Sequence, residues 1–282
     1  MTGRRQTRDA LAAAGLRPRK RLGQHFLCDA NVVRRIVEAV HAEPAPAVLE
    51  IGPGLGALTE SLVQAGEPLY LVELDRDLAR RLAEQYADVS HVRIVEGDVL
   101  DVPLESIVTE PTATVVGNLP YNVSTPILFR LLAMRARFPR AILMLQREVA
   151  MRLAARPGGR EWGVLAVSLQ THARVRVLFR VKPGSFLPPP RVDSAMVEIA
   201  WSPSPRVDIG DPALHAAVVR AAFGQRRKML HNALAVLECG TPVIDAALAE
   251  ADIDPRARAE TLDLEAFGRL SRAFEARRSG GA

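Results

Sequence analysis

Between residues 47 and 201, short uninterrupted apolar runs alternate with segments whose apolar positions recur every three or four residues. The runs "AVLEIG", "PLYLVELD", "VRIVEGD" and "TATVVGN" predict four strands, and "ALTESLVQAG", "RDLARRLAEQY" and "TPILFRLLAMRA" predict helices between and after them. "RAILMLQREVAMRLAA" reads as a strand followed by a helix. Strands that are apolar on both faces belong in a parallel sheet covered by helices on both sides, so an α/β fold is expected. The later runs "VLAVSLQTHARVRVLFRV" and "SAMVEIAW" predict two or more further strands at a sheet edge. Ahead of this block, "DANVVRRIVEAVHA" predicts an amphipathic helix capped by Asp29, with Val32, Val33, Ile36, Val37 and Val40 on one face. "AEPAPA" and "SPSPRVD" read as linkers. Residues 207–275 carry helical periodicity alone and predict a small all-helical second domain without internal repeats.

The chain has 282 residues, which suits one large domain plus a small one. The expected organisation is an arm over 1–24, an α/β domain over 25–201 and a helical domain over 207–275. No apolar run reaches the roughly 20 residues of a membrane span. The N-terminus carries arginines with no apolar stretch before a cleavage site, so no secretory signal is expected. Cys28 and Cys239 are far apart and match neither a disulfide framework nor a metal-ligand spacing. No metal, no membrane association and a reducing cytoplasm follow as expectations.

The net charge of +5 suits a polyanionic partner. The only lysines are Lys20, Lys182 and Lys228, however, and the excess of arginine over lysine reads as the composition of a GC-rich genome. The positions of basic clusters therefore say more than their total. One cluster is the arm, where Arg4, Arg5, Arg8, Arg17, Arg19, Lys20 and Arg21 face Asp9 alone.

Candidate chemistry sits where the predicted strands end. In "EIGPGLGALTESL", Gly52, Gly54 and Gly56 let the backbone turn sharply and approach a ligand. Glu73 ends the next strand about 20 residues on, where an acid accepts from ribose hydroxyls. This pair alone indicates an adenosine-containing cofactor and leaves NAD open. The spacing G-x-G-x-G, with Ala57 in place of the last dinucleotide glycine and Pro53 lacking a donor, favours a ligand without a pyrophosphate. Asp98 ends the third strand and suits the amino group of an adenine.

The fourth strand runs into "GNLPYNVS". The amine on a purine ring is a poor nucleophile because its lone pair is delocalised. The Asn118 side-chain carbonyl and the Leu119 backbone carbonyl, aimed by the restriction Pro120 imposes, accept from that amine and free its lone pair. Tyr121 stacks on the base, worth roughly 1–3 kcal/mol. A cofactor at Gly52, Glu73 and Asp98 with an amine at Asn118 fits methyl transfer from S-adenosylmethionine, in which positioning matters more than acid–base catalysis.

With these motifs in place, the chain resembles the small-subunit ribosomal RNA adenine dimethyltransferases, the KsgA family. The matching stretches are "RKRLGQHFLCD", "VLEIGPGLGALTESL", "VELDRDL", "EGDVLD", "GNLPYNVSTPIL", "QREVAMRL", "PGSFLPPPRVDSAMV" and "FGQRRKMLHNAL", in order over residues 17–235. The resemblance implies a Rossmann-like class I S-adenosylmethionine-dependent methyltransferase domain with a small C-terminal all-helical RNA-recognition domain. It implies dimethylation of two adjacent adenosines in the hairpin near the 3′ end of 16S rRNA, by a monomer acting on the small ribosomal subunit. It puts cofactor contacts on His25, Leu27, Gly52, Gly54, Glu73, Asp98 and Asn118. The family more often has Asn where this chain has His25. Phe186, before a rigid proline run, is expected opposite Tyr121, sandwiching a flipped-out adenine. Arg19, Lys20 and Arg21 on the arm, and Arg226, Arg227 and Lys228 on a helix, are expected phosphate contacts.

Two other readings compete. Macrolide-resistance methyltransferases act on large-subunit rRNA and share most of these motifs, although "NLPYNVSTP" and "FLPPPRVDSAMV" lean toward the small-subunit family. A non-catalytic RNA-binding assembly factor on the same fold is disfavoured by the presence of Glu73, Asp98 and Asn118 together.

Overall fold

The computed structural model describes residues 3–225 and 228–279. In chain order its strands are β1 (Phe26–Leu27), β2 (Val48–Ile51), β3 (Leu69–Glu73), β4 (Val92–Glu96), β5 (Thr114–Asn118), β6 (Arg140–Gln146), β7 (Ala173–Val181), β8 (Phe186–Leu187) and β9 (Ser194–Trp201). The helices are α1 (Arg4–Ala13), α2 (Ala30–His41), α3 (Thr59–Val63), α4 (Arg76–Gln85), α5 (Leu104–Ile107), α6 (Ser124–Ala133), α7 (Arg147–Leu153), α8 (Val164–Gln170), α9 (Pro212–Gly224), α10 (Leu230–Leu234), α11 (Thr241–Glu250) and α12 (Leu264–Ser279). They form two compact units, residues 1–150 with 175–201, and residues 151–174 with 202–282.

The first unit is built on a seven-stranded sheet in the order β4-β3-β2-β5-β6-β9-β7. The first five strands are mutually parallel, and β9 runs antiparallel to β6. Every residue of β2 and β3 is buried, as is β5 up to Asn118, which explains their largely apolar sequence. β4 is an edge strand and only half covered. β2 lies between β3 and β5, so the connections diverge there and open a crevice beyond the strands' carboxyl ends. The predicted first long helix is present as α2. Asp29 accepts from the backbone N–H groups of Asn31 and Val32, and Val32, Val33, Ile36 and Val40 are buried in the core. The basic arm contains α1, whose Leu11 is buried beside Phe26, Leu55 and Leu78.

The second unit has its own apolar core, centred on Val218, Val219, Leu248, Phe267 and Leu270. Residues 164–170, expected as a strand, are the helix α8. The run "VLAVSLQ" is too short for its periodicity to separate strand from helix. Ala166 and Val167 join the core of this unit together with Trp162, which is why residues 151–174 group with the later helices rather than with the sheet.

Candidate active site

The carboxyl edge of the sheet gathers the strand-end residues around one cavity. Gly52 and Gly54 after β2, Glu73 on β3, Asp98 after β4, Asn118 on β5 and Tyr121 beyond it all line its wall. Residues 22–27 of the N-terminal segment close another side. That segment is held across the sheet edge by β1, which pairs with β8 so that Phe26 faces Leu187 and Leu27 faces Phe186.

Local geometry explains the glycines. Gly52 and Gly54 have φ of 67° and 60°, a region side chains avoid. A Cβ at Gly54 would sit 3.2 Å from the Phe26 ring, whereas a Cβ at Gly52 would meet no protein atom within 4 Å. The bare backbone at Gly52 therefore leaves open space on the cavity side. Glu73 ties the loop to β3. Its Oε2 accepts from Gly54 N at 2.9 Å and its Oε1 from Asp75 N at 2.8 Å. Each carboxylate oxygen retains a lone pair for a ligand hydroxyl. Asp98 holds its own turn by accepting from Leu100 N at 2.9 Å through Oδ1.

Two carboxyl groups of the cavity wall, Glu50 and Glu73, are buried. Burial raises the pKa of Glu73, opposed by the backbone donors of Asp75 and Gly54. Glu50, on β2 and also lining the cavity, is 2% exposed. Burial, aided by the neighbouring charge of Glu73, pushes its carboxyl up to about 8 despite a 2.7 Å hydrogen bond from Thr59 Oγ1.

At the end of β5, the Asn118 amide nitrogen donates to the carbonyl of His25 at 2.9 Å, which fixes the side-chain oxygen as the free acceptor end. Leu119 and Pro120 line the same wall. Tyr121 is oriented by a 2.6 Å hydrogen bond between its hydroxyl and Ser194 Oγ. The ring facing Tyr121 is that of His25, stacked at 5.8 Å with an interplanar angle of 26°. His25 Nδ1 lies 2.8 Å from the Pro188 carbonyl, which only accepts, so Nδ1 carries a proton.

Phe186 departs from expectation. It is 0% exposed, packs with Ile36, Met144 and Met196 in the core, and does not line the cavity. A sandwich with Tyr121 is absent from this structure because pairing of β8 with β1 turns the ring inward.

The basic residues divide. Lys20 and Arg21 are exposed in a single 3₁₀ turn, and Lys228 is exposed in the connection between α9 and α10 rather than on a helix. Arg226 and Arg227 lie outside the described residues. Arg19 is not a free cation, since it pairs with Asp75 and Asp77 at 2.6 and 2.5 Å.

Glu50, Leu74 and Gln24 are among the cavity residues that the sequence reading passed over. Glu50 was hidden inside a strand, where an acid is easily taken as a boundary. Leu74 lines the cavity although it is 50% exposed, and its position directly after Glu73 was the available signal. Gln24 precedes His25 in the same lining segment. Among the described residues no cluster of three potential metal ligands occurs, and no helix is long and apolar enough to cross a membrane.

Known proteins give a consistent comparison. The family model for ribosomal RNA adenine dimethylase matches residues 15–275. The chain is 47% identical over 256 residues to ribosomal RNA small subunit methyltransferase A of Pseudomonas aeruginosa, covering 90% of this chain and 94% of that protein. The protein of the same name from Moorella thermoacetica is 43% identical over 270 residues, covering 93% and 94%. A dimethyladenosine transferase from Plasmodium falciparum superposes with a TM-score of 0.78 at 24% identity, over 90% of this chain and 98% of that one. The 23S rRNA methyltransferase ErmE superposes with a TM-score of 0.67 at 25% identity, over 89% and 99%.

Proposed function

The chain belongs to the ribosomal RNA adenine dimethylase family, and from that membership we propose that it dimethylates the 6-amino groups of two adjacent adenosines in the 3′-terminal hairpin of 16S rRNA. The substrate in this reading is the small ribosomal subunit during its biogenesis in the cytoplasm. The cofactor is S-adenosylmethionine, which supplies an electrophilic methyl group. The observation that carries the reading is the Asn118 amide, locked by the His25 carbonyl with its oxygen free, beside Tyr121 in the cavity that Gly52, Glu73 and Asp98 also line.

The lining fits such a cofactor. Glu73 offers two hydrogen-bonded oxygens to a ribose diol, Asp98 suits an adenine amine, and Gly52 leaves space where a side chain would intrude. Glu73 and Asp98 place acidic groups on the wall beside a cationic ligand. Asn118 Oδ1 and the Leu119 carbonyl accept from the target amine and draw its nitrogen toward tetrahedral geometry. Tyr121 holds the ring, with its own hydroxyl engaged by Ser194 rather than by substrate. No general base is required, because the amine proton becomes acidic once the nitrogen is methylated.

The test is transfer of labelled methyl groups to purified ribosomal subunits that lack the modification. Label is expected in small subunits and not in large ones. Label in large subunits alone would overturn the substrate assignment, and Asn118→Ala that retains transfer would overturn the role of the amide.

A further inference from the structure

The N-terminal segment is fastened to the turn from β3 into α4, just after Glu73, by a compact set of polar contacts. The two terminal nitrogens of Arg19 reach separate carboxylates, Nη1 to Asp75 Oδ1 at 2.6 Å and Nη2 to Asp77 Oδ2 at 2.5 Å. Gln24 completes the set. Its Oε1 accepts from Arg19 N at 2.8 Å, and its Nε2 donates to Asp75 Oδ2 at 2.8 Å. Both oxygens of Asp75, a side chain only 4% exposed, are thus held by residues of the N-terminal segment. Asp75 in turn donates its backbone N–H to Glu73 Oε1. One continuous chain of contacts runs from Arg19 and Gln24 through Asp75 to Glu73.

We infer that Arg19 and Gln24 form a latch that seats residues 15–25 over the cofactor cavity, and that Arg19 is a positioning residue for the cofactor rather than a phosphate contact. Leu22, Gly23, Gln24 and His25 are one wall of that cavity, so the wall exists only when the segment is seated. A second cavity, lined by Leu16, Arg17, Arg19, Gln24, Asp75 and Leu78, lies behind the latch. Leu11 and Phe26 join Leu16 in lining it, so the polar contacts supplement the apolar packing and the β1–β8 pairing that hold the segment on either side. Apparent cofactor affinity then scales with the fraction of molecules in which the segment is seated. By linkage, bound cofactor seats the segment to the same degree. A guanidinium spans two carboxylates with its planar fork, while a lysine ammonium satisfies one of them. The inference rests on the reading that this cavity holds S-adenosylmethionine.

The experiment uses the full chain, with steady-state kinetics on small subunits and cofactor titration. Arg19→Gln is expected to raise the KM for S-adenosylmethionine about five- to tenfold, within the range of ordinary coupling energies. Its kcat at saturating cofactor is expected to stay within about twofold of the parent. Asp77→Asn shifts the same parameter less, and Arg19→Lys restores part of the loss. Asp77 is partly exposed, so its variant keeps the test valid if Arg19→Gln folds poorly. Cofactor is expected to protect residues 4–24 from trypsin in the parent and much less in Arg19→Gln.

An unchanged KM in Arg19→Gln and Asp77→Asn overturns the latch. So does a loss of subunit affinity with the salt slope reduced by about one and KM unchanged, which is the signature of a phosphate contact. Glu73→Ala separates the two levels of the argument. If it binds cofactor as the parent does, the cavity assignment fails and the latch with it. If it loses binding while Arg19→Gln keeps it, the latch alone fails.

Discussion

The side chain of Asn118 and the backbone of His25, 93 residues apart, share a 2.9 Å hydrogen bond that decides which end of the amide faces the cavity. Asn118→Asp keeps an oxygen toward the cavity but sets a second oxygen against the His25 carbonyl. The two acceptors repel, and the carboxylate turns away. Turnover is expected to fall about 10²–10³-fold, the usual cost of losing one preorganised polar contact to the reacting group. Cofactor affinity should change far less. A single-turnover assay alongside cofactor titration reads both, and turnover within tenfold of the parent would refute the orienting role of the bond.

Gly117 precedes Asn118 and touches the neighbouring strand. A Cβ there would lie 2.6 Å from the Ile51 carbonyl oxygen, inside the β2–β5 ladder. Gly117→Ala must push the strands apart just where each ends on a site residue. The expected cost is about 1–3 kcal/mol of stability, as for overpacking elsewhere. Misplaced reactants are expected to lower activity about 10²-fold as well. Chemical denaturation and the methyl-transfer assay check the two effects, and a variant normal in both would show that the ladder absorbs the methyl group.

Glu50 links the cavity to pH. Its folded pKa of about 8 stands above the ordinary 4.5. Between those values the folded chain keeps a proton that the unfolded chain has lost, so this group's contribution to stability falls as pH rises from 4.5 to 8. Glu50→Gln retains the acceptor for Thr59 and never ionises. Its melting temperature is expected to exceed that of the parent by about 5 °C at alkaline pH. The difference should shrink toward pH 5. Melting curves on cofactor-free protein across this range decide the matter, and a parallel pH dependence in both proteins would count against it.

His215 acts in the helical unit with the opposite sign. It is 4% exposed, and burial, reinforced by nearby His172, lowers its pKa from 6.5 to about 4. Ser271 Oγ donates its proton to the Phe267 carbonyl, so at 2.9 Å it accepts from His215 Nδ1. Between pH 6.5 and 4 the unfolded chain binds a proton that the folded chain refuses. Stability is therefore lost as pH falls through that window. Hydrogen exchange is expected to show residues 207–275 loosening first on acidification, and His215→Gln should lessen that sensitivity. Equal acid sensitivity in the variant would rule His215 out as the cause.

Much of the cavity's polar lining was legible because strand ends concentrate chemistry. Gly52, Glu73, Asp98 and Asn118 each close an apolar run, and parallel strands bring such ends to one edge. The misses have physical causes. Phe186 reads the same in sequence whether its ring faces a ligand or the core, and only the two-residue pairing with β1 turns it inward. Arg19 belongs to a basic cluster by composition, yet its partners stand 56 and 58 residues away. Charge counting along the chain registers cations and is blind to the distant carboxylates that neutralise them. The segment 164–170 is shorter than two helical turns, so its pattern alone could not reveal a helix.

The division of the chain into units that each use two separate stretches has a consequence for synthesis. A ribosome delivers Trp162, Ala166 and Val167 well before Val218, Phe267 and Phe274, the residues whose company buries them. At about 5–20 residues per second, the gap between residues 174 and 274 lasts on the order of 5–20 s. For that interval the nascent chain displays an apolar segment with no partner yet made, a natural target for chaperones. A message truncated after Trp201 leaves that segment orphaned permanently, so its product is expected to aggregate rather than serve as a minimal enzyme.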